Sequence, residues 1–380
     1  MIYADNAATT RISDSVFEKM LPFLREQYGN ASSQYSLGVK AKRAVELARK
    51  QVSDAVGAAP SEIAFTSGGS EANSWVLHSI SASYRNDSVH IITSAIEHPS
   101  VLNACRALEN TGVEITFLPV DKEGRVSVGN VASAIKPHTK LVSIMLANNE
   151  IGTIQPVAEI GQLLRKKGIL FHTDAVQAVG HIPVDANNLQ VDFLTASAHK
   201  FNGPKGVGFL YIRDRLELSP LIFGGAQESG LRAGTENVAG IVATGYAIEE
   251  CVGEMQTVSE FLQTLISNIM AFVSKRIPNV LVNGEAGKRL PGIINIGFDD
   301  ISGEALMHLL DLKGICVSTS SACTSGKNEP SHVLLALGQT EEQAKSAIRI
   351  SFGRYNTIDE AQTIATALCD AYEKITKAKL

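Results

Sequence analysis

The sequence predicts an α/β protein: a mainly parallel sheet covered on both faces by helices, followed by a smaller α+β unit. Three observations predict it. Strand-like apolar runs recur at Ile63–Thr66, His90–Thr93, Val113–Leu118, Leu141–Ala147, Ile169–His172, Val191–Ala196 and Val207–Ile212. Helix-like segments such as Glu71–Ser81, Ser100–Asn110 and Val157–Lys167 separate most of them, and such alternation belongs to parallel sheets buried on both faces. The residues just after the strands are unusually rich in groups capable of chemistry, and in such sheets ligands bind beyond the carboxyl ends of the strands.

In chain order, Ala4–Thr10 is too small and polar for a core strand and reads as a structured arm. Gly29-Asn-Ala-Ser-Ser33 is a turn cluster. Lys40–Val56 has apolar residues at helical spacing with basic residues opposite. The seven strand-like runs follow. Beyond Ile212, Gly224-Gly225 and Arg232-Ala-Gly-Thr-Glu236 precede long helical segments from Val238 to about Arg276. Leu290–Ile296 and Ile315–Ser318 read as strands of the second unit, and Gly303–Lys313 and Glu341–Ile348 as its helices. The division expected is 13–257 for the large domain, with 1–12 and 258–380 forming the small one.

The totals exclude several classes. At 380 residues, 44% hydrophobic and 19% charged, the chain is an ordinary globular protein with room for two domains. A net charge of -5 gives no general attraction to nucleic acid or to an anionic membrane. No apolar run approaches the ~20 residues that span a bilayer, and the first residues lack the pattern of a signal peptide. Five cysteines, with no C-x-x-C pair, argue against a disulfide framework or structural zinc and for a reducing cytoplasm.

The chemistry centres on Thr195-Ala-Ser-Ala-His-Lys-Phe-Asn-Gly-Pro-Lys-Gly-Val-Gly208, where Lys200 follows a strand and opens a glycine-rich turn. Most lysines are solvated surface residues. One held in a partly desolvated pocket forms Schiff bases with aldehydes, and Ser197 and His199 beside it could hold a phosphate. Gly68-Gly69-Ser70 before a helix offers backbone N–H groups and a hydroxyl to an anion, although serine is also a common N-cap. It is not a P-loop, because no G-x-x-x-x-G-K-[ST] occurs. Asp174 could hold a pyridine nitrogen protonated, or be merely a turn aspartate. His98 could stack on a flat ring, and Gln177 and Asn149 could reach a ring hydroxyl. Arg349 interrupts an apolar run, and a buried arginine needs an anion such as a substrate carboxylate; Arg354 reads as an ion-pair former. Cys323 lies in a Ser/Gly-rich stretch, unlike the apolar settings of Cys105, Cys251 and Cys316, and an exposed thiol is a liability unless used.

With these residues in place, the sequence resembles the cysteine desulfurases of the NifS/IscS kind, within the class V aminotransferase family of fold-type I pyridoxal-phosphate (PLP) enzymes. The resemblance runs nearly end to end, through Tyr3-Ala-Asp-Asn-Ala-Ala-Thr-Thr10, Gly29–Ser33, Glu97-His-Pro99, Ala147-Asn-Asn-Glu150 and His172-Thr-Asp-Ala-Val-Gln177. It continues through Ala198-His-Lys200, Arg232–Asn237, Ser321-Ala-Cys-Thr-Ser325 and Arg349–Asn356. It implies a seven-stranded, mainly parallel sheet sandwiched by helices. Lys200 would carry PLP covalently, Asp174 would meet the pyridine nitrogen and His98 would stack on the ring. Asn149 and Gln177 would contact the ring oxygen, and Gly69, Ser70, Ser197, Ala198 and His199 would surround the phosphate. Thr235 would reach the phosphate of the neighbouring subunit in a homodimer.

The implied reaction takes sulfur from L-cysteine, leaves L-alanine and places a persulfide on Cys323. Lys200, His98 and Cys323 would be the catalytic residues, with Arg349 and Asn149 holding the substrate. The sulfur would go to an iron–sulfur scaffold or another acceptor protein. No metal site is expected, Cys323 being the one residue that could ligate an iron–sulfur cluster in passing. The alternatives are a selenocysteine lyase, another class V aminotransferase, or a sulfur carrier without turnover. Tyr35 stands where the family commonly has His, Ala31 where Pro is frequent, and Gly69-Ser70 where Ala-Thr or Gly-Thr is common.

Overall fold

In the computed structural model, residues 1–84, 88–214, 216–284, 287–299, 301–319 and 329–379 are described. Seven strands form the large sheet in the order Ile63–Thr66, Gly208–Ile212, Phe193–Ser197, Leu170–Asp174, Thr139–Ser143, His90–Ser94, Glu114–Leu118. Six run the same way; Gly208–Ile212 is antiparallel to both neighbours. The strands Ile63–Thr66, Gly208–Ile212 and Phe193–Ser197 are buried along their length because helices cover both faces. Trp75 packs on one face with Val76, Leu77 and Val101, and Phe171, Phe201 and Phe209 on the other.

The chain steps outward from His90–Ser94 to Glu114–Leu118, then returns through Thr139–Ser143 toward the opposite edge. The order therefore reverses between His90–Ser94 and Thr139–Ser143, and the loops that follow these two strands are joined to each other: Met145 N–H donates to Glu97 Oε1 at 3.0 Å and Asn148 Nδ2 to the Ile96 carbonyl at 2.9 Å. The strand expected over Leu141–Ala147 pairs only to Ser143 in the ladder, but its extended course continues, with Leu146 N–H donating to the Asp174 carbonyl at 2.8 Å.

The second unit is a four-stranded antiparallel sheet in the order Ser318–Thr319, Ile348–Ser351, Ile293–Gly297, Leu281–Asn283. The small unit differs from the sequence expectation at two places. The segment Ile315–Ser318 is not one strand: Ile315–Cys316 pairs with Ile2–Tyr3, and Ser318–Thr319 pairs with Ile348–Ser351. The helix expected over Glu341–Ile348 stops at Lys345, and Ile348 opens the strand that bears Arg349.

One 39-residue helix, Val238–Arg276, joins the two units. Ile241, Ala247 and Ile248 near its start pack into the core of the large sheet, and Leu262, Leu265 and Ile269 into that of the small one. We propose the domain division at residue 257, in the polar turns between these two apolar stretches. Among the described residues, no helix is long and apolar enough to cross a membrane.

Candidate active site

The strand Phe193–Ser197 ends in a single 3₁₀ turn, Ala198–Lys200. The turn is pinned by its backbone: Ala198 N–H donates to the Val207 carbonyl at 3.1 Å, and Phe201 N–H donates back to the Ala198 carbonyl at 3.1 Å. The Ala198 amide is thus already engaged, and the residue is buried. Lys200 Nζ donates to the carbonyls of Ala7 and Ala8, at 2.6 and 2.7 Å. The polar N-terminal arm therefore lies over the lysine. The Lys200 carbonyl accepts from His181 Nε2 at 2.9 Å; a carbonyl can only accept, so this nitrogen carries the proton. Burial lowers the pKa of His181 and keeps the ring neutral.

Asp174 closes the adjacent strand and is buried. Its Oδ1 accepts from Val176 N–H at 3.0 Å and its Oδ2 from Asn73 Nδ2 at 2.7 Å. The same Asn73 amide donates to Ser100 Oγ at 2.9 Å, and Ser100 Oγ lies 2.8 Å from His98 Nδ1. Ser100 N–H also donates to His98 Nδ1, at 3.1 Å, so Nδ1 is the bare nitrogen and Nε2 carries the proton. Burial lowers the pKa of His98, Asp174 opposes the shift and the Lys200 charge reinforces it. Four residues from three segments thus form one hydrogen-bonded chain from Asp174 to His98. Asn73 and Ser100 are absent from the sequence expectations. The signal for Asn73 is there: it shares a helix face with Val76, Leu77 and Ile80, all buried, and a polar residue on such a face needs a partner.

At the other end of the site, helix Gly69–Ser83 begins at Gly68 with no side chain capping it. Its first N–H groups and the positive end of its dipole are thereby offered to an anion. Gly68 has φ 145°, and a Cβ on Gly69 would come within 2.8 Å of Val176 Cγ2, so the turn presses against the loop behind Asp174. Ser70 is exposed and Ser197 buried. Glu71, the nearest carboxylate in the turn, is occupied by a paired contact with Arg232 at 2.9 and 3.1 Å. His199 is held near pKa 4, chiefly by burial and then by the charges of Lys200 and Lys205. It would therefore meet a phosphate as a neutral donor; its Nδ1 lies 3.1 Å from Thr9 Oγ1. Gln177 Nε2 donates to the Ala7 carbonyl at 2.9 Å. Thr235 is exposed and lines a cleft of its own chain with Ser67 and Arg232. Tyr35 sits exposed at the N-cap of helix Ser36–Ala55, and Ala31 is buried.

Arg349 is buried on the strand Ile348–Ser351. Its guanidinium donates to the Asn149 carbonyl at 3.0 Å and to Asp5 Oδ1 at 2.6 Å. The reasoning that a buried arginine needs an anion holds, and the chain itself supplies one. Cys323 lies outside the described residues. The residues flanking its segment are described: Ser318 pairs across from Arg349, Ser331 Oγ donates to Glu150 Oε2 at 2.5 Å, and His332 Nε2 lies 3.0 Å from the Glu97 carbonyl. Helix His332–Ala336 is seated on Ile96, Met145 and Ile151, beneath the loops of His98 and Asn149.

These residues fit PLP: a lysine amine, a buried carboxylate with lone pairs to spare for a pyridinium N–H, a neutral imidazole, and an uncapped helix N-terminus for the phosphate. Fold and site together define a lysine-based PLP enzyme of the α/β type.

The chain belongs to the aminotransferase class-V family, whose model matches residues 2–364. Enzymes of this family are PLP-dependent. The chain is 46% identical to "Cysteine desulfurase IscS" of Methanosarcina thermophila over 98% of its own length and 92% of that protein. Its fold superposes on a solved "NifS-like protein" with a TM-score of 0.92 at 39% identity, covering 98% of this chain and 99% of that one. It also superposes on "SspA in complex with cysteine", with a TM-score of 0.83 at 36% identity over 94% and 100% of the two chains.

Proposed function

We propose that the protein is a PLP-dependent cysteine desulfurase that converts L-cysteine to L-alanine and leaves a persulfide on Cys323. One observation carries the reading: Lys200 and Arg349 are tied to the same short arm, Lys200 through the Ala7 and Ala8 carbonyls and Arg349 through the Asp5 carboxylate, so an amine-reactive lysine and a carboxylate-binding arginine serve one site. The family relatives named for cysteine desulfuration, and the neighbour solved with cysteine, support the substrate.

When bound, PLP supplies an aldehyde for the substrate amine and an electron sink for the α-carbanion. The chain does the rest. Asp174, held by Asn73 and Val176, would accept the pyridine N–H. His98 would cover the ring, and the Gly68–Ser70 turn with Ser197 and His199 would hold the phosphate. Asn149 and Gln177 are assigned to the ring oxygen and Arg349 to the substrate carboxylate. Lys200 Nζ takes the α-proton, with the Ala7 and Ala8 carbonyls within reach to receive its hydrogens. The Cys323 thiolate then attacks the substrate sulfur; the C–S bond breaks, the S–S bond forms, and the remainder leaves as L-alanine after protonation. The pairing of Ser318 with Arg349 and the bond of Ser331 to Glu150, next to Asn149, support this role, since both described flanks of the segment lie beside residues assigned to the substrate.

The working unit is a homodimer. Helix Asp14–Arg25 exposes Phe17, Leu21 and Leu24 at i, i+4 and i+7, an apolar stripe suited to a second copy. Phe223 is 82% exposed on a segment bonded to the one bearing Thr235, through Ala233 N–H and the Ile222 carbonyl. The enzyme acts in the cytoplasm and passes sulfur to an iron–sulfur scaffold or another acceptor protein.

The test is to feed the holoenzyme L-cysteine and measure sulfide and alanine with and without reductant. Cys323→Ala should keep the PLP absorbance and lose the persulfide. Persulfide transfer that survives the substitution would show that the nucleophile is elsewhere, and the absence of alanine from the parent would reject the activity.

A further inference from the structure

Arg349 and Asp5 lie 344 positions apart in the chain, yet their side chains meet at 2.6 Å with 4% and 19% of their surfaces exposed. Everything around Asp5 holds it there. Its backbone bridges to Ser351, Asn6 N–H donates to the Ser351 carbonyl at 3.0 Å, Ala7 N–H donates to Ser351 Oγ at 2.9 Å, and Tyr3 Oη donates to the Asp5 carbonyl at 3.0 Å. The guanidinium has its two terminal nitrogens engaged, one on Asp5 and one on the Asn149 carbonyl, while its Nε is buried without a hydrogen-bond partner. A buried cation whose Nε–H is left unpartnered is a carboxylate receptor already partly filled by a carboxylate of its own chain.

We propose that Asp5 is a positioning and affinity-setting residue for the substrate: its carboxylate stands in for the substrate carboxylate on Arg349 and competes with it. This rests on the assignment of Arg349 to the substrate. Two consequences follow from the geometry. Asp5 holds the guanidinium by one terminal nitrogen and leaves Nε–H unpartnered, and its negative charge weakens the hold of Arg349 on any monocarboxylate. Because residues 7 and 8 of the same arm accept from Lys200, the resting anion and the resting lysine contacts sit within four residues of each other. In Asp5→Asn an oxygen remains to accept from Arg349 while the charge is gone, so orientation survives and competition does not.

The test uses holoenzyme and propionate, a monocarboxylate without an amine, so that binding is read by calorimetry independently of turnover. Arg349→Gln should weaken propionate binding. Asp5→Asn should tighten it by roughly five- to tenfold, as expected for removing a close like charge. The KM for L-cysteine should fall in the same proportion, with kcat no higher. Asp5→Ser should move in the same direction. Propionate binding to Asp5→Asn that is unchanged or weaker, while Arg349→Gln loses it, overturns this inference alone. Binding unaffected by Arg349→Gln overturns both this inference and the substrate assignment. Failure of both Asp5 variants to fold would make Asp5 a structural strut and end the proposal.

Discussion

Asn73→Ala tests whether the chain from Asp174 to His98 does what its geometry implies. The substitution removes the donor that lies 2.7 Å from Asp174 Oδ2 and 2.9 Å from Ser100 Oγ. A hydrogen bond to a charged group contributes about 1.5–3 kcal/mol, and a buried acceptor left without its donor loses at the upper end of that range. Asn73 is 1% exposed and water has no easy access to take its place. For 380 residues the unfolding entropy is about 0.8 kcal/mol/K, so a loss of about 2 kcal/mol lowers Tm by about 3 °C. The same change frees His98 Nδ1 from an ordered Ser100 hydroxyl and leaves Asp174 with Val176 N–H as the donor still holding it. Both contacts to the pyridine ring are loosened together, and cofactor affinity should fall about tenfold, equivalent to about 1.4 kcal/mol. Calorimetry of the cofactor-free protein gives the first quantity, and PLP titration followed by absorbance gives the second. An unchanged Tm with unchanged PLP affinity would refute the chain as a functional unit. A lowered Tm with unchanged PLP affinity would leave it a packing device only.

Two further outcomes follow from the same site. Gly69→Ala places a Cβ 2.8 Å from Val176 Cγ2, so the turn must move away from the Asp174 loop; PLP binding should weaken about tenfold or more while the secondary structure by circular dichroism stays intact, and an unaltered PLP affinity would contradict the phosphate assignment. Glu97 is buried, with Oε1 on Ser94 Oγ and Met145 N–H, and burial raises its pKa from 4.5 to about 8. Its share of the stability is whole below about pH 4.5 and is lost as pH rises through about 8. The Tm of Glu97→Gln should therefore depend less on pH between 5 and 9 than that of the parent, and parallel curves would contradict the assignment.

The large sheet was legible because its strands, the edge strand Glu114–Leu118 excepted, are runs buried on both faces, and each reads within a few residues of where it pairs. Lys200 was legible for a related reason: a strand that ends in a glycine-rich turn places its next polar residue at the sheet edge. The small unit was not. Ile315–Cys316 and Ser318–Thr319 are two residues each and belong to different sheets. Periodicity cannot register in so short a run, and Ala347 and Ile348 extend an apolar pattern that suits a helix as well as a strand. Helix Asp14–Arg25 contains Pro22 and exposes much of its apolar face, so it lacks the signature of a core helix. Arg349 announced itself as a cation in an apolar run, but Asp5 as its partner depended on tertiary contact alone. The anchoring of Ser331 on Glu150 is equally invisible in a linear reading.

The central claim is that Lys200, beneath Ala7 and Ala8, holds the cofactor covalently. Borohydride reduction of the purified holoenzyme, followed by peptide mass spectrometry, tests it directly. The account predicts a pyridoxyl group on the peptide containing Lys200 and its absence once L-cysteine has displaced the lysine. A pyridoxyl group on another lysine, or none, would contradict it.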